Sequence, residues 1–249
     1  MLGIAILAAG KGKRMNSVDK PKVLVDFLGK PLLGYVLETA FRINPFKVYV
    51  VVGFKKEAVI DFINQNYNLN NIVIVEQKEQ LGTGHAILQL EPVLEKGIDN
   101  LLILSGDVPL ISFETLLKFI EFHKQGNYDL SLISTKLENP TGYGRIVRDT
   151  NGELLRIVEQ KDLKFGEQLI DEINSGIYIV KTKDLFDYLR KLKNENAQSE
   201  YYLTDIVEMY TADQKRVGAF FIKSSTEVLG INTYEELKNL EKFFIQNEI

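Results

Sequence analysis

The sequence predicts an α/β fold in which helices cover a mostly parallel central sheet. Short apolar runs bounded by Gly, Asn or Lys recur through the first half of the chain, and they predict buried strands. Segments with apolar residues at helical spacing separate these runs, and the alternation favours right-handed crossovers and parallel pairing. Ligands of such sheets bind beyond the carboxyl ends of the strands, so we expect functional residues where the strands end.

The first half of the chain alternates between the two kinds of element. In its last helix, apolar residues fall on one face and Ser112 is placed as the N-cap. The residues expected on that face are Phe113, Leu116, Leu117 and Ile120. The predicted strands are 3–8, 48–52, 72–75, 101–104 and 130–133, and the predicted helices are 32–43, 55–66, 83–91 and 112–124.

The second half is less regular. Residues 137–175 are rich in Gly, Asn, Asp and Glu, and we expect them to form an excursion with its own hairpin. The last helix opens with a capping box of Thr233 and Glu236, and we expect it to bury three apolar side chains. Those side chains are Leu237, Leu240 and Phe244. The other predicted elements are strands at 154–159, 176–180 and 216–222, and a helix at 183–192 with Leu185, Phe186, Leu189 and Leu192 on one stripe.

Composition narrows the class of protein. The chain has 249 residues, a net charge of −4, 45% hydrophobic and 26% charged residues, which is typical of a globular protein and argues against a general nucleic-acid binder. It has no cysteine and only His85 and His123, which excludes disulfides, cysteine-ligated metals, thiol catalysis and multi-histidine metal sites. No apolar run approaches the ~20 residues of a membrane span. Because basic residues follow the apolar start instead of preceding it, the start is not typical of a signal peptide. We therefore expect a cytoplasmic protein, and from the charge and the missing span we expect neither a nucleic-acid nor a membrane partner.

The segment after the first strand, 7–15, is suited to phosphate. Its two glycines let backbone amides approach a ligand closely, and three cations lie within four positions, Lys11, Lys13 and Arg14. It matches neither the P-loop pattern nor the dinucleotide fingerprint, which requires a third glycine where Met15 stands. The alternative is a plain strand-to-helix turn with solvated lysines, and the triple cation favours phosphate binding.

Acidic and amide side chains follow several other strands. Asp107 ends the strand at 101–105, where a carboxylate is a natural Mg²⁺ anchor, and the alternative is a cap on the next turn. Gln77 offers both a donor and an acceptor on one amide, and Glu159 offers a carboxylate that can accept two hydrogen bonds at once. Considered singly, each residue also has a plain structural interpretation, Gln77 as an ordinary surface side chain and Glu159 as a solvated charge.

An ordered set of motifs gives the sequence a family resemblance. Segments 7–15 and 21–24 resemble the signature of nucleotidyltransferases that make nucleotide-sugars. Together with five further segments, they resemble the uridylyltransferase domain of the GlmU-type bifunctional bacterial enzymes, over about residues 3 to 245. The further segments are 80–86 (QLGTGHA), 106–111 (GDVPLI), 139–146 (NPTGYGRI), 173–177 (INSGI) and 196–205 (NAQSEYYLTD).

The resemblance implies a Rossmann-like three-layer fold with a mixed, mostly parallel central sheet. It implies one nucleotidyltransferase domain with a nucleotide-binding lobe at about 1–110, a sugar-binding lobe at about 111–230 and a C-terminal helix at 232–246. The implied reaction joins UTP and N-acetylglucosamine 1-phosphate into UDP-N-acetylglucosamine, a precursor for cell wall and lipopolysaccharide, and releases pyrophosphate. The sugar phosphate would attack the α-phosphorus in line, so neither a covalent intermediate nor a general base is required.

The resemblance also assigns residues to this reaction. Arg14 and Lys22 are the catalytic cations, and Mg²⁺ is the cofactor, held by Asp107 and Asn232. We also expect the Thr83 hydroxyl to cap the helix that follows it. The nucleotide-binding set is Leu7, Ala8, Ala9, Gly10, Lys22, Gln77, Gly82, Thr83, Ser105, Gly106 and Asp107, of which Gln77, Gly82 and Thr83 recognise uracil, and the sugar-binding set is Gly144, Glu159, Asn174 and Asn232.

Departures from the family pattern keep alternatives open. Ser105 stands where a larger residue often precedes Gly-Asp, and Ser199 replaces a commoner glycine, so another sugar or base is an alternative. Tyr202 and Thr204 either line the sugar pocket or belong to the core. A non-catalytic sugar-nucleotide sensor is a third hypothesis, and the retained cations and metal ligands argue against it. GlmU-type enzymes continue into a trimeric left-handed β-helix acetyltransferase, whose six-residue repeat is absent here, so we expect no CoA-dependent acetylation and a monomer or weak dimer.

Overall fold

The computed structural model describes residues 1–12, 15 and 20–246. Within that part of the chain, a nine-stranded mixed sheet carries helices on both faces, and a second sheet has two strands. The strands are β1 (Leu2–Ala8), β2 (Asp26–Phe27), β3 (Lys30–Pro31), β4 (Lys47–Val52), β5 (Ile72–Glu76), β6 (Asn100–Ser105), β7 (Leu130–Lys136), β8 (Arg145–Arg148), β9 (Leu154–Val158), β10 (Glu172–Lys181) and β11 (Val217–Phe221). The helices are α1 (Leu32–Arg42), α2 (Lys56–Asn66), α3 (Thr83–Leu88), α4 (Phe113–Gln125), α5 (Thr182–Leu189), α6 (Asp205–Ala212) and α7 (Tyr234–Gln246).

The topology brings loops from both halves of the chain to one edge of the sheet. The strand order is β11-β7-β10-β6-β1-β4-β5, and β8 and β9 form a hairpin attached at β10. Strands β5, β4, β1 and β6 are mutually parallel, so their carboxyl ends meet at the same edge. Strand β10 runs antiparallel to β6 and β7, which brings its amino-terminal half to that edge as well. The predicted α/β class with a mixed, mostly parallel sheet is confirmed.

Alternate residues of β1, an inner strand of the sheet, face two separate apolar cores. In β1, Ile4 and Ile6 pack in the core that includes α1, α2 and α4, whereas Ala5 packs in the core that includes α3, α5 and α6. All three side chains are fully buried, because helices cover the strand on both faces. The sheet is therefore the middle of three layers, and its burial fixes the positions of the strand ends.

A smaller apolar core packs the last helix, α7, against the sheet edge where the parallel strands end. Leu237 and Leu240 of α7 pack in one cluster with Phe27 of β2 and with Ile231. This packing holds the turn before α7 close to the carboxyl ends of the strands, although about half the chain separates the two in sequence.

Three local predictions about helices can be compared directly with the structure. The Ser112 hydroxyl caps α4 by accepting from the Thr115 amide at 3.1 Å, as predicted. The capping box is also confirmed, since Thr233 Oγ1 accepts from the Glu236 amide at 3.1 Å and Glu236 Oε2 accepts from the Thr233 amide at 3.0 Å. The prediction for Leu117 is wrong, because that side chain is 43% exposed. One residue turns about 100° around a helix, which carries Leu117 off the face that its neighbour buries.

In the second half of the chain, the secondary structure differs more from the prediction. The hairpin expected within 137–175 is present as β8 and β9. Helix α6 was not predicted, and the helix expected at 183–192 ends at Leu189, with Leu192 buried beyond its end. The predicted burial of the Phe244 side chain lies outside what the structure describes. Among the described residues, every helix is too short or too polar to cross a bilayer.

Candidate functional site

The ends of β1 and β6 bring two predicted segments side by side. Leu7 pairs with Ser105 across the parallel strands, and the Gly106 amide donates to the Leu7 carbonyl at 2.9 Å. The chain leaves β1 into the loop 9–12 and leaves β6 at Asp107. Both loops therefore start at the sheet edge where ligands of α/β proteins collect.

A buried lysine to which catalysis was assigned contacts both residues to which metal binding was assigned. Lys22 is only 9% exposed, its Nζ forms an ion pair with Asp107 Oδ2, and it donates to Asn232 Oδ1 at 2.7 Å. The Ile231 amide donates to the Asp107 carbonyl at 3.0 Å, which fixes the turn before α7 against the end of β6. Lys22, Asp107 and Asn232 thus form one cluster, which we name the phosphate-side cluster.

Gly12 explains how this lysine is held. Its φ is +57°, and a Cβ built on it would lie 2.7 Å from the Cβ of Lys22. An L side chain at this position would be strained and would collide with the lysine stem. The glycine predicted to allow close approach of a ligand therefore also allows close approach of Lys22.

The donor set of the phosphate-side cluster fits a magnesium ion. Asp107 supplies a carboxylate oxygen and Asn232 an amide oxygen, and both converge on the single ammonium group of Lys22. Magnesium in proteins takes one or two such oxygens and fills its shell with phosphate oxygens and water. No group of three or more His, Asp or Glu side chains within the described ranges could hold a metal, so the fit depends on a phosphate-bearing ligand.

Gln77 is nearly fully buried, in contrast to the surface side chain expected from the residue alone. It follows β5, is 3% exposed, and donates from Nε2 to the Gly82 carbonyl at 3.0 Å. His85 Nδ1 lies 3.0 Å from the same nitrogen. Gln77 and Gly82 are therefore parts of one turn, as their shared assignment to uracil requires.

Gly82 lies where no larger residue fits. Its φ is +114°, and a Cβ on it would lie 2.6 Å from the Tyr201 carbonyl oxygen. The Tyr201 amide donates to the Leu81 carbonyl at 2.7 Å, and the Gly84 amide donates to the Tyr201 carbonyl at 2.8 Å. These bonds tie the motif at 196–205 to the start of α3.

Thr83 does not cap α3, so that prediction is wrong. Thr83 is the first residue of α3, and Gly82, which has no side-chain oxygen, occupies the N-cap. The Thr83 hydroxyl instead accepts from the Leu203 amide at 3.0 Å, because the 196–205 motif packs against the start of the helix. The hydroxyl therefore joins two motifs that lie 120 residues apart in sequence.

Three of the four residues assigned to the sugar converge beside β10, whereas the fourth, Asn232, lies in the phosphate-side cluster. The Asn174 amide donates to the Gly144 carbonyl at 2.9 Å, and Glu159 Oε1 lies 3.6 Å from where a Cβ on Gly144 would stand. The Thr204 hydroxyl donates to Glu159 Oε1 at 3.1 Å, and Asn174 Nδ2 donates to the Tyr178 hydroxyl at 2.6 Å. Gly144, Glu159 and Asn174 form what we name the sugar-side cluster.

Gly176 brings this cluster against the end of β6. Its φ is +78°, within the stretch of β10 where the register shifts between Asn174 and Tyr178. A Cβ on Gly176 would lie 3.3 Å from Ser105 Oγ. Ser105 therefore lies at the junction between the parallel strands and the sugar-side cluster.

Carboxylates crowd around Glu159. Burial is the main cause that raises the pKa of Glu159, and Asp205, Asp162 and Glu200 act in the same direction, against the hydrogen bond from Thr204. Burial likewise raises the pKa of Asp205 to about 6. The sugar side of the site is thus acidic, whereas a lysine lies at the centre of the phosphate-side cluster.

Some assignments lie outside the described part of the chain, and some contacts were not foreseen. Arg14 and Lys13 are outside the described residues, so the catalytic role of Arg14 stays a prediction. Tyr202 and Thr204 are both buried, and the Tyr202 hydroxyl donates to Asp162 Oδ2 at 3.1 Å. No local signal in the sequence singles out Asp162.

Known proteins that resemble this chain belong to one enzyme family. The chain matches the nucleotidyl transferase family model over residues 4–228. It is 46% identical over 241 residues to the bifunctional protein GlmU of Psychrobacter cryohalolentis, covering 97% of this chain and 52% of that protein. It is 40% identical over 238 residues to the bifunctional protein GlmU of Acholeplasma laidlawii, covering 96% of this chain and 50% of that protein. The chain thus spans about half the length of these curated relatives.

Solved structures confirm the fold. A UDP-glucose pyrophosphorylase complexed with UDP-glucose superposes with a TM-score of 0.80 at 21% identity, covering 99% of each chain. HddC from Yersinia pseudotuberculosis complexed with GMP-PN superposes with a TM-score of 0.70 at 25% identity, covering 98% of this chain and all of the other. The implied Rossmann-like architecture is therefore confirmed, and the family match with the curated relatives confirms the resemblance to nucleotidyltransferases. This chain belongs to the nucleotidyl transferase family.

Proposed function

We propose that this chain transfers the uridylyl group of UTP to N-acetylglucosamine 1-phosphate, giving UDP-N-acetylglucosamine and pyrophosphate. One observation carries the proposal: the phosphate-side cluster of Lys22, Asp107 and Asn232 lies at the sheet edge where the turn 77–82 and the sugar-side cluster also end. The GlmU relatives support it, because they match over nearly the whole chain. We further propose that the reaction occurs in the cytoplasm and supplies precursors of cell wall and lipopolysaccharide.

The nucleotide would be bound by the loops of the parallel strands. Gln77 and the backbone of Gly82 would recognise the uracil edge, since the hydrogen bond between them already fixes the turn. The loop 9–12 would lie along the triphosphate, and Gly10 suits a close approach because nothing lies within 4 Å of a Cβ built on it.

The phosphate-side cluster would neutralise and align the two anionic substrates. The attacking sugar phosphate is already ionised, so the chain needs no general base and acts by positioning and charge. The Lys22 ammonium would hold phosphate oxygens, and Arg14 would stabilise the leaving pyrophosphate. A magnesium ion bound by Asp107 and Asn232 would supply further neutralisation of phosphate charge.

The sugar-side cluster would hold the ring of the acceptor. The Glu159 carboxylate can accept hydrogen bonds from two ring hydroxyls, and Asn174 and the backbone of Gly144 lie against it. The charge of the site also orients this substrate, because its phosphate is attracted to Lys22 and repelled by the carboxylates around Glu159.

Pyrophosphate release tests the proposal directly. The purified chain is incubated with MgCl₂, UTP and either N-acetylglucosamine 1-phosphate, glucosamine 1-phosphate or glucose 1-phosphate, and CTP and GTP replace UTP in parallel reactions. We expect release with UTP and the acetylated sugar and little release in the other combinations. No release in any combination, from folded chain that binds UTP, overturns the proposal. Faster release with another sugar or base assigns the site to a different sugar-1-phosphate nucleotidyltransferase.

A further inference from the structure

A buried arginine lies beside the sugar-side cluster and has no part in the reaction proposed above. Arg145 begins β8, is 2% exposed, and has no hydrogen-bond partner at Nε. Among the described residues, no carboxylate forms an ion pair with it, and burial alone lowers the pKa of its guanidinium. A buried charge without a counter-ion is costly to the fold, so its other contacts are informative.

Those contacts all hold one turn. The Arg145 Nη1 donates to the Tyr143 carbonyl, and Nη2 donates to Gln160 Oε1 at 2.9 Å. The same Gln160 oxygen accepts from the Gly142 amide at 2.9 Å. A single carboxamide oxygen thus fastens both ends of the turn 142–145.

Each residue of the sugar-side cluster is directly attached to this network. Gly144 lies between Tyr143 and Arg145 in the chain, and Glu159 immediately precedes Gln160. The third member, Asn174, donates its backbone amide to the Gly144 carbonyl at 2.9 Å. A shift of the turn would therefore move all three members relative to one another.

We propose that Arg145 and Gln160 are positioning residues for the acceptor sugar, a role that rests on the function proposed above. The guanidinium and the carboxamide fix Gly144 against the Glu159 carboxylate, and so set the fit of the sugar ring without touching it. In the phosphate-side cluster Lys22 bonds to Asp107 and Asn232, and in the turn 77–82 Gln77 bonds to Gly82, so we expect nucleotide binding to be independent of this pair.

Two variants of Gln160 provide the test. Gln160→Ala removes the shared acceptor, and we expect the KM for N-acetylglucosamine 1-phosphate to rise about tenfold while the KM for UTP stays within about twofold. Gln160→Glu keeps an oxygen that accepts from both donors, and we expect it to restore the KM of the parent chain. Calorimetry with UDP-N-acetylglucosamine and with UDP gives the same comparison without turnover, because Gln160→Ala should weaken only the former.

A control variant separates positioning from general loss of stability. Thr182→Val removes the 2.6 Å hydrogen bond to the Ile98 carbonyl at the opposite edge of the sheet, and we expect both KM values to stay unchanged. If Gln160→Ala does not fold, Arg145→Lys is measured instead, since a single ammonium cannot reproduce both guanidinium bonds.

The outcomes distinguish this inference from the function on which it rests. A parent chain that turns over no sugar phosphate overturns the proposed function. An active parent with an unchanged sugar KM in Gln160→Ala, an equal rise in both KM values, or no recovery in Gln160→Glu overturns the positioning role.

Discussion

The parallel side of the sheet and the side around β10 build their parts of the site in different ways. Strands β1, β4, β5 and β6 are parallel, and their loops contribute glycines, backbone groups and the side chains of Lys22, Gln77 and Asp107. Around β10 the pairing is antiparallel, a register shift interrupts the strand, and the site consists of side chains held by other side chains. The first arrangement suits phosphates and a flat base, whereas the second suits a ring with many hydroxyls.

The two sides also differ in charge. Lys22 is the centre of the phosphate-side cluster, while Glu159 and Asp205 are carboxylates whose pKa values burial raises. The proposed acceptor, a sugar phosphate, is negative at one end and neutral at the other, so this polarity would favour one orientation of it in the site. We therefore expect substitutions on the two sides to change different measured properties of the chain.

The largest effect is expected at Asp107. Asp107→Asn keeps an oxygen for Lys22 but removes the negative charge, which weakens magnesium binding, so we expect kcat to fall by about 10² to 10³-fold. Steady-state pyrophosphate release measures the effect, and circular dichroism checks the fold. Asp171→Asn is the matched control, because it changes a carboxylate that pairs with the exposed Lys136. Near-normal kcat in folded Asp107→Asn contradicts the metal assignment.

The next effect in size is expected at Gly82 and concerns the stability of the fold. Gly82→Ala places a Cβ within 2.6 Å of backbone at a φ of +114°, so we expect a loss of about 2–4 kcal/mol in the free energy of unfolding and a higher KM for UTP. Gly29→Ala is the matched control, because Gly29 has a φ of +84° but nothing within 4 Å of its Cβ position. We expect Gly29→Ala to lose only about 1 kcal/mol in the free energy of unfolding. Urea unfolding of both variants measures the two losses. Equal losses would contradict the close packing of α3 against the 196–205 motif.

The smallest effect concerns pH. Because burial raises the pKa of Asp205 to about 6, the folded chain binds this proton more tightly than the unfolded chain does between pH ~4 and pH ~6. Stability from this group is therefore present at low pH and is lost as the pH rises through that window. We expect Asp205→Asn to raise the Tm by about 3 °C at pH 7.5 and by much less at pH 4.5, in thermal scans against the parent. The same difference at both pH values would contradict the shift.

The parallel side could be predicted from sequence more fully than the side around β10. Alternating apolar runs locate strands and helices, and the strand ends then locate Asp107. The burial of Lys22 could not be predicted, because its partner Asn232 is 210 residues away and only the packing of α7 brings them together. Taken alone, Lys20-Pro21-Lys22 is typical of a solvated turn.

Around β10 the sequence predicts less of the structure, for other reasons. The hairpin was predicted from composition, but the role of Arg145 depends on the Gln160 oxygen that it shares with Gly142, which no local pattern records. Helix α6 was not predicted, because its eight residues give little more than two turns in which an apolar period can be recognised. Tertiary contacts also explain Thr83, whose hydroxyl bonds to a distant amide instead of its own helix.

A crossed kinetic comparison tests the division of the site most directly. The KM values for UTP and for N-acetylglucosamine 1-phosphate are measured in Gln77→Ala and in Glu159→Gln. We expect Gln77→Ala to raise the KM for UTP about tenfold and Glu159→Gln to raise the KM for the sugar phosphate about tenfold, each with less than about a twofold change in the other value. Equal increases of both KM values in both variants would contradict the account of a site divided between the two sides of the sheet.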